Sequence, residues 1–141
     1  MHDEVSHALV LVSPPDSIGR VHELLDRVWA DAPHISAMDR VSFETALIEV
    51  AANVIQHANH GNPVECTVAI DATESSISAT LIDTGEQAEL ELSTVGMPEG
   101  AVESGRGLAV VKALVNEISY DSDGTVNCWR ITRRLDGERR I

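Results

Sequence analysis

Aromatic side chains are scarce in this chain of 141 residues: one Phe, one Tyr and two Trp. Its core must therefore be built mostly from Val, Leu, Ile and Ala. Positive charge is also short, with ten Lys and Arg against 23 Asp and Glu, giving a formal net charge of −13. Such a field repels nucleic acid, and no basic patch offsets it. An anionic membrane surface is disfavoured for the same reason. A basic protein partner is favoured, and any polyphosphate ligand needs local help from backbone amides, a metal ion or a placed Arg. The two cysteines, Cys66 and Cys128, are too few for a disulfide framework. Each sits in an apolar run, so both are expected as buried free thiols. No apolar run approaches membrane-spanning length, and the N-terminus lacks a signal peptide's basic start and apolar core. The expected location is the cytoplasm. There is no internal repeat and no low-complexity segment.

What is present reads as one globular domain over residues 1–141. Hydrophobic residues make up 43% and charged residues 23%, and the length suits a single core. Ala8 to Val12 (ALVLV) predicts a first strand, ended by Ser13-Pro14-Pro15. Asp16 or Ser17 can cap a helix in which Ile18, Val21, Leu25, Val28 and Trp29 recur at helical spacing to about Ala30. Ser36 or Asp39 can cap a second helix. After the turn signal at 59–63, Val64 to Ile70 and Ile77 to Ile82 alternate and predict a hairpin. Residues 86–104 have weak periodicity and predict a long loop, the kind that often serves as a lid. Leu108 to Asn116 predicts a third helix. Ile118 to Tyr120 and Thr125 to Thr132 predict a closing hairpin, with a polar, frayed tail over 133–141. Strands cluster and helices are not interleaved one by one. The expected class is therefore α+β, two layers, with helices on one face of a mostly antiparallel sheet.

The chain is organised around Phe43 to Asn59. Phe43, Leu47, Val50, Val54 and Ala58 form an apolar stripe, and Glu49 and Asn53, four residues apart, share another face of the same helix. Gln56 and His60 extend that polar line, which on its own most often marks a solvated face. Two further signals stand at the ends of core elements. In Asp83-Thr84-Gly85 an acid closes a buried strand, although Asp-x-Gly alone is a common turn. In Gly105-Arg106-Gly107-Leu108, glycines open a helix whose free N–H groups suit an anion. That segment taken alone more often marks a plain loop-to-helix turn. Together the three supply different parts of one ligand site. His57 and His60 as a metal pair lack the further Cys, His or acidic ligands that a site needs.

Glu49 to Ala58 resembles the asparagine box of the GHKL ATPases, the superfamily of gyrase, Hsp90, histidine kinases and MutL. Asp83-Thr84-Gly85 resembles its first glycine box, and Gly105-Arg106-Gly107-Leu108 its second. The size and the E-x-x-x-N form are similar to those of the anti-sigma-factor serine-protein kinases of the SpoIIAB and RsbW type. The resemblance spans essentially the whole chain. It implies that ATP and Mg²⁺ are the cofactors, with Asn53 holding Mg²⁺ through its carboxamide oxygen. Glu49 would be the general base for an incoming Ser or Thr hydroxyl. Asp83 would accept a hydrogen bond from the adenine amino group, and Gly85 would give the base room. Gly105, Arg106, Gly107 and Leu108 would hold phosphates at the helix N-terminus, with His57 near the nucleotide. Residues 86–104 would be the ATP lid. Arg20, early in the first helix, would contact a protein partner, its other reading being an ordinary solvated Arg.

The implied activity is that of an anti-sigma factor that is also a serine/threonine-protein kinase. It would sequester a sigma factor and phosphorylate a STAS-type antagonist, working in transcription regulation and stress response, commonly as a homodimer. Relatives often follow Asp-x-Gly with another Gly or a Pro-Phe pair, where this chain has Gln87 and Ala88. That departure motivates a second expectation, a non-catalytic nucleotide-dependent binding module. A detached histidine-kinase catalytic domain is a third.

Overall fold

The computed structural model describes residues 4–13, 16–56, 63–84 and 103–135, with the backbone alone for 103–106. In chain order it contains β1 (Val5–Ser13), α1 (Gly19–Asp31), α2 (Ala37–Gln56), β2 (Val64–Ala72), β3 (Ser76–Asp83), α3 (Glu103–Leu114), β4 (Glu117–Ser122) and β5 (Asn127–Arg134). The five strands form one sheet in the order β1-β2-β3-β5-β4, and every neighbouring pair is antiparallel. Strand alternation puts Cys66, Val68 and Ile70 of β2 on the same face as Leu81, Ala79 and Ile77 of β3 and Trp129 and Ile131 of β5. The three helices cover that face. The other face keeps Val10, Val12 and Ile82 exposed. This is the α+β arrangement that the clustering of strands predicts.

The apolar stripe of α2 is buried as its spacing requires: Phe43, Leu47, Val50 and Val54 are all in the core. Ala58 lies outside the described residues. The few aromatic rings are used in pairs. Trp29 of α1 meets Phe43 of α2 edge-on at 6.4 Å, and Tyr120 of β4 lies 4.5 Å from Trp129 of β5.

At the start of α2, Ser36 is the residue that caps. Its Oγ accepts the Asp39 N–H at 3.1 Å and donates to Asp39 Oδ2 at 3.1 Å. At the start of α1 neither expected residue takes the capping position, which is held by Ile18 without a side-chain bond. Ser17 Oγ accepts only the Gly19 N–H at 3.2 Å, and Asp16 Oδ2 turns back to accept the Val12 N–H at 2.8 Å.

Arg133 fixes how α2, α3 and the sheet sit together. Its guanidinium contacts Asp39 Oδ1 through two nitrogens, each at 2.9 Å, and donates to the Leu114 carbonyl at 2.6 Å. The first turn of α2 and the last turn of α3 therefore meet at one end of β5. The expected frayed tail starts later than Arg133. β5 runs through Arg134, and the Leu135 N–H donates to the Ser75 carbonyl at 2.9 Å. Residues 136–141 lie outside the described residues.

Candidate active site

α2 and α3 run antiparallel, pinned at two points. Asp39 and Leu114 meet through Arg133 at one end. Further along, Glu49 of α2 lies against Gly107 of α3, so closely that a Cβ on Gly107 would stand 2.6 Å from Glu49 Oε1. The absence of a side chain at Gly107 is what lets the carboxylate reach the α3 backbone. α3 begins at Glu103, so Gly105 and Gly107 lie in its first two turns and not in a loop before it. Glycine weakens a helix interior by roughly 0.5–1 kcal/mol relative to Ala, and here it is kept where a neighbouring carboxylate occupies the space of a Cβ.

Asn53 sits one turn after Glu49 and is 7% exposed. Among the described residues, none hydrogen-bonds its carboxamide. A carboxamide placed this way offers an oxygen of the kind a hard divalent cation accepts. Glu49 and the second turn of α3 thus meet at the helix–helix seam, with Asn53 one turn further along α2.

A second cluster closes the sheet end. Asp83, the last residue of β3, is 3% exposed on the helix-covered face. It stands in register with Cys66 on one side and Asn127 on the other. Asn127 Nδ2 donates to Asp83 Oδ1 at 2.8 Å, and the Tyr120 hydroxyl donates to Asn127 Oδ1 at 3.2 Å. Burial, and then the negative charge of Asp83, push the Cys66 thiol up to about 12, so it stays protonated at neutral pH. Thr84 ties off the strand: its N–H donates to the Glu65 carbonyl at 3.1 Å, and its hydroxyl accepts the Glu65 N–H at 3.1 Å.

The two clusters lie comparable distances from the Arg133 anchor. Asn53 is fourteen residues beyond Asp39, or about 21 Å along a helix. Asn127 is six residues before Arg133, or about 20 Å along a strand. α2 packs on both β3 and β5.

Of the other expected site residues, Leu108 is buried and its side chain belongs to the core cluster. Arg106 and Gly105 contribute described backbone only. His57 and Gly85 lie outside the described residues, as does the expected lid apart from Glu103 and Ser104, which are in α3. Arg20 is in the first turn of α1, where its NH1 pairs with Asp16 Oδ2 at 3.3 Å. Asn127 and Tyr120 went unread in the sequence. The available signal was Asn127 itself, a polar residue at an inward position that leads the inward pair Trp129 and Ile131.

The family description "Histidine kinase-like ATPase domain" matches residues 12–133. The chain belongs to this family. No curated protein matches it. Among solved structures, this histidine kinase-like ATPase domain is similar to the RsbU and RsbW domains of Rv1364c from Mycobacterium tuberculosis. That likeness has 19% identity and a TM-score of 0.66, over 93% of this chain and 32% of that one. Similarity extends to the Acinetobacter baumannii histidine kinase AdeS (15% identity, TM-score 0.50, 92% of this chain and 68% of that one). It extends also to the histidine kinase domain of the Erythrobacter litoralis EL346 blue-light activated histidine kinase (15% identity, TM-score 0.50, 86% and 65%). The chain spans less than a third of the first of these proteins, and at such identities the likeness is one of fold. Domains of the family bind ATP, usually with Mg²⁺. Both clusters fit that ligand in chemistry: a buried carboxamide beside a carboxylate at a helix seam, and a buried carboxylate held by a neutral donor. Among the described residues no helix is long and apolar enough to cross a membrane.

Proposed function

We propose that this domain is an anti-sigma factor and an ATP-dependent serine/threonine-protein kinase, acting on a STAS-type antagonist of that sigma factor. The observation that carries the reading is the Glu49 carboxylate lying against Gly107 of α3, one turn from the buried Asn53. Asn53 would hold Mg²⁺, and the N-terminal turns of α3, with Gly105, Arg106 and Gly107, would receive phosphates. Asp83 would accept from the adenine amino group, with Gly85 and His57 nearby. Bound Mg²⁺ would draw charge from the phosphates. Glu49 would take the proton of the attacking Ser or Thr hydroxyl. The RsbW likeness supports the partner classes, and the net charge of −13 suits a basic partner surface. Arg20, a homodimeric assembly and a cytoplasmic site of action belong to the same reading.

Incubation with γ-labelled ATP, Mg²⁺ and candidate antagonists tests it, with label expected on a Ser or Thr of one antagonist. Absence of transfer together with intact sigma-factor binding would favour a non-catalytic nucleotide-dependent module. Label on a His or Asp acceptor would favour histidine-kinase chemistry.

Gly107→Ala gives a sharper test. The added methyl displaces the far end of a flexible Glu side chain and no backbone, so folding is expected to survive. Melting temperature should stay level or rise, since Ala favours a helix by up to about 1 kcal/mol over Gly. Phosphoryl transfer should fall at least about tenfold, because the base is moved from its place. Loss of stability with unchanged transfer would contradict the role given to Glu49.

A further inference from the structure

We infer that the free edge of β1 binds an extended segment of a partner protein, basic at both ends and uncharged between, as an added strand of the sheet. The inference stands apart from the proposed nucleotide site. β1 and β4 are the edges of the sheet formed by the described residues. A bare edge invites pairing unless charge, proline, a bulge or short length guards it. β4 is guarded, with six residues of which Glu117 and Asp121 are exposed. β1 is not. It runs nine residues, VSHALVLVS, without Lys, Arg, Asp, Glu or Pro, and in unbroken register with β2.

The end of the strand tells which backbone groups are on offer. The Val12 N–H donates to Asp16 Oδ2 at 2.8 Å, and the Val12 carbonyl accepts the Asp16 N–H at 2.9 Å. Val12 therefore turns its backbone groups away from β2. Antiparallel ladders alternate, so those of Ser6, Ala8 and Val10 face the same way. Asp16 closes the edge at Val12 and leaves these three residues as the docking strip. Ser6 and Ala8 are exposed, and Val10 is 48% exposed on the open face of the sheet.

Charge selects the occupant. The strip is neutral, and acid stands at both ends. At one end Glu4 is exposed and Asp71 accepts from Ser6 Oγ at 2.7 Å. At the other, Glu65 stands in register with Val12, while Asp16 is already paired with Arg20. A strand with Lys or Arg at each end and Val or Thr between complements this pattern. A second copy of β1 does not. Paired antiparallel about Ala8, it would set Glu4 of each chain opposite Val12 of the other and toward that chain's Glu65, between two chains of net charge −13.

The probe is a capped peptide, Lys-Thr-Val-Thr-Val-Thr-Val-Thr-Lys, titrated into the whole chain by calorimetry. Saturable binding is expected, with hydrogen exchange at the Ser6, Ala8 and Val10 amides slowed by about tenfold or more. Glu in place of both Lys should weaken it by about tenfold or more. Ala8→Pro removes the central outward N–H at an edge position, where proline is tolerated, and should weaken the peptide by a similar factor. Val10→Lys sets a positive charge in the strip at an exposed position. It should also weaken the peptide, and it carries the test if circular dichroism shows Ala8→Pro unfolded. No binding by wild type, equal affinity for the Glu-ended peptide, protection confined to other amides, or unchanged affinity in a folded variant would overturn the inference. So would sedimentation showing a wild-type dimer that Ala8→Pro converts to monomer, which would give the edge to a second copy.

Discussion

Glu49→Gln is expected to lower phosphoryl transfer by about 10²–10⁴-fold while ATP affinity and folding stay near wild type. The substitution keeps the length and shape that let this side chain lie against Gly107, so packing at the helix seam is preserved. It removes the one property the proposed step requires, the capacity to take a proton from the incoming hydroxyl. Steady-state transfer of labelled phosphate, with separate titration of ATP, resolves the two effects. A variant that lost ATP affinity in proportion to transfer would make Glu49 a binding group. A variant that kept more than about a tenth of wild-type transfer would remove it as the base.

Asp39→Ala is expected to cost about 3–5 kcal/mol of stability, a large share of the roughly 5–15 kcal/mol of a typical domain. Asp39 is 1% exposed and Arg133 is 14% exposed, and the alanine would leave the guanidinium buried without its carboxylate. The Ser36 cap would lose its reciprocal partner as well. Denaturant unfolding should show the midpoint shift, and the melting temperature should fall by roughly 10 °C or more. Replacing both members, as Asp39→Leu with Arg133→Met, should recover much of the loss, because the largest part of the cost is a part-buried guanidinium deprived of the Asp39 counter-charge. If the single and double variants were equally unstable, the loss would be one of packing. The effect reaches function through geometry. Arg133 joins the start of α2 to the end of α3, and that antiparallel pairing brings Glu49 to Gly107. Asp39→Ala molecules that still fold should therefore transfer phosphate more slowly.

The α2 stripe was legible because its apolar residues repeat at helical spacing over almost the whole helix. The alternation of Val64, Cys66, Val68 and Ile70 likewise fixed which side of β2 is covered. Strand ends were less legible, for a local reason and a distant one. β5 starts at Asn127 and not at Thr125, because Asp123 Oδ1 accepts the N–H groups of both Thr125 and Val126, at 2.8 and 2.9 Å, around a Gly124 at φ +90°. That side-chain capture extends the turn by two residues. β5 continues to Arg134 because Arg133 is held by Asp39, 94 positions away, a contact no local pattern announces.

The site shows the same division. Glu49, Asn53, Asp83 and Gly107 stood out by residue type and spacing. The reason for glycine at 107 is a carboxylate from another helix, and only the packing reveals it. Asn127 becomes meaningful once the β3–β5 register sets it opposite Asp83.

The central claim, that Asn53, Asp83 and the start of α3 serve a single adenine nucleotide, is tested most directly by titrating ATP into the protein with and without Mg²⁺. The account predicts saturable binding of one ATP per chain, strengthened by Mg²⁺, with the Mg²⁺ contribution lost in Asn53→Ala. No binding of ATP under either condition by the folded wild-type chain would contradict it.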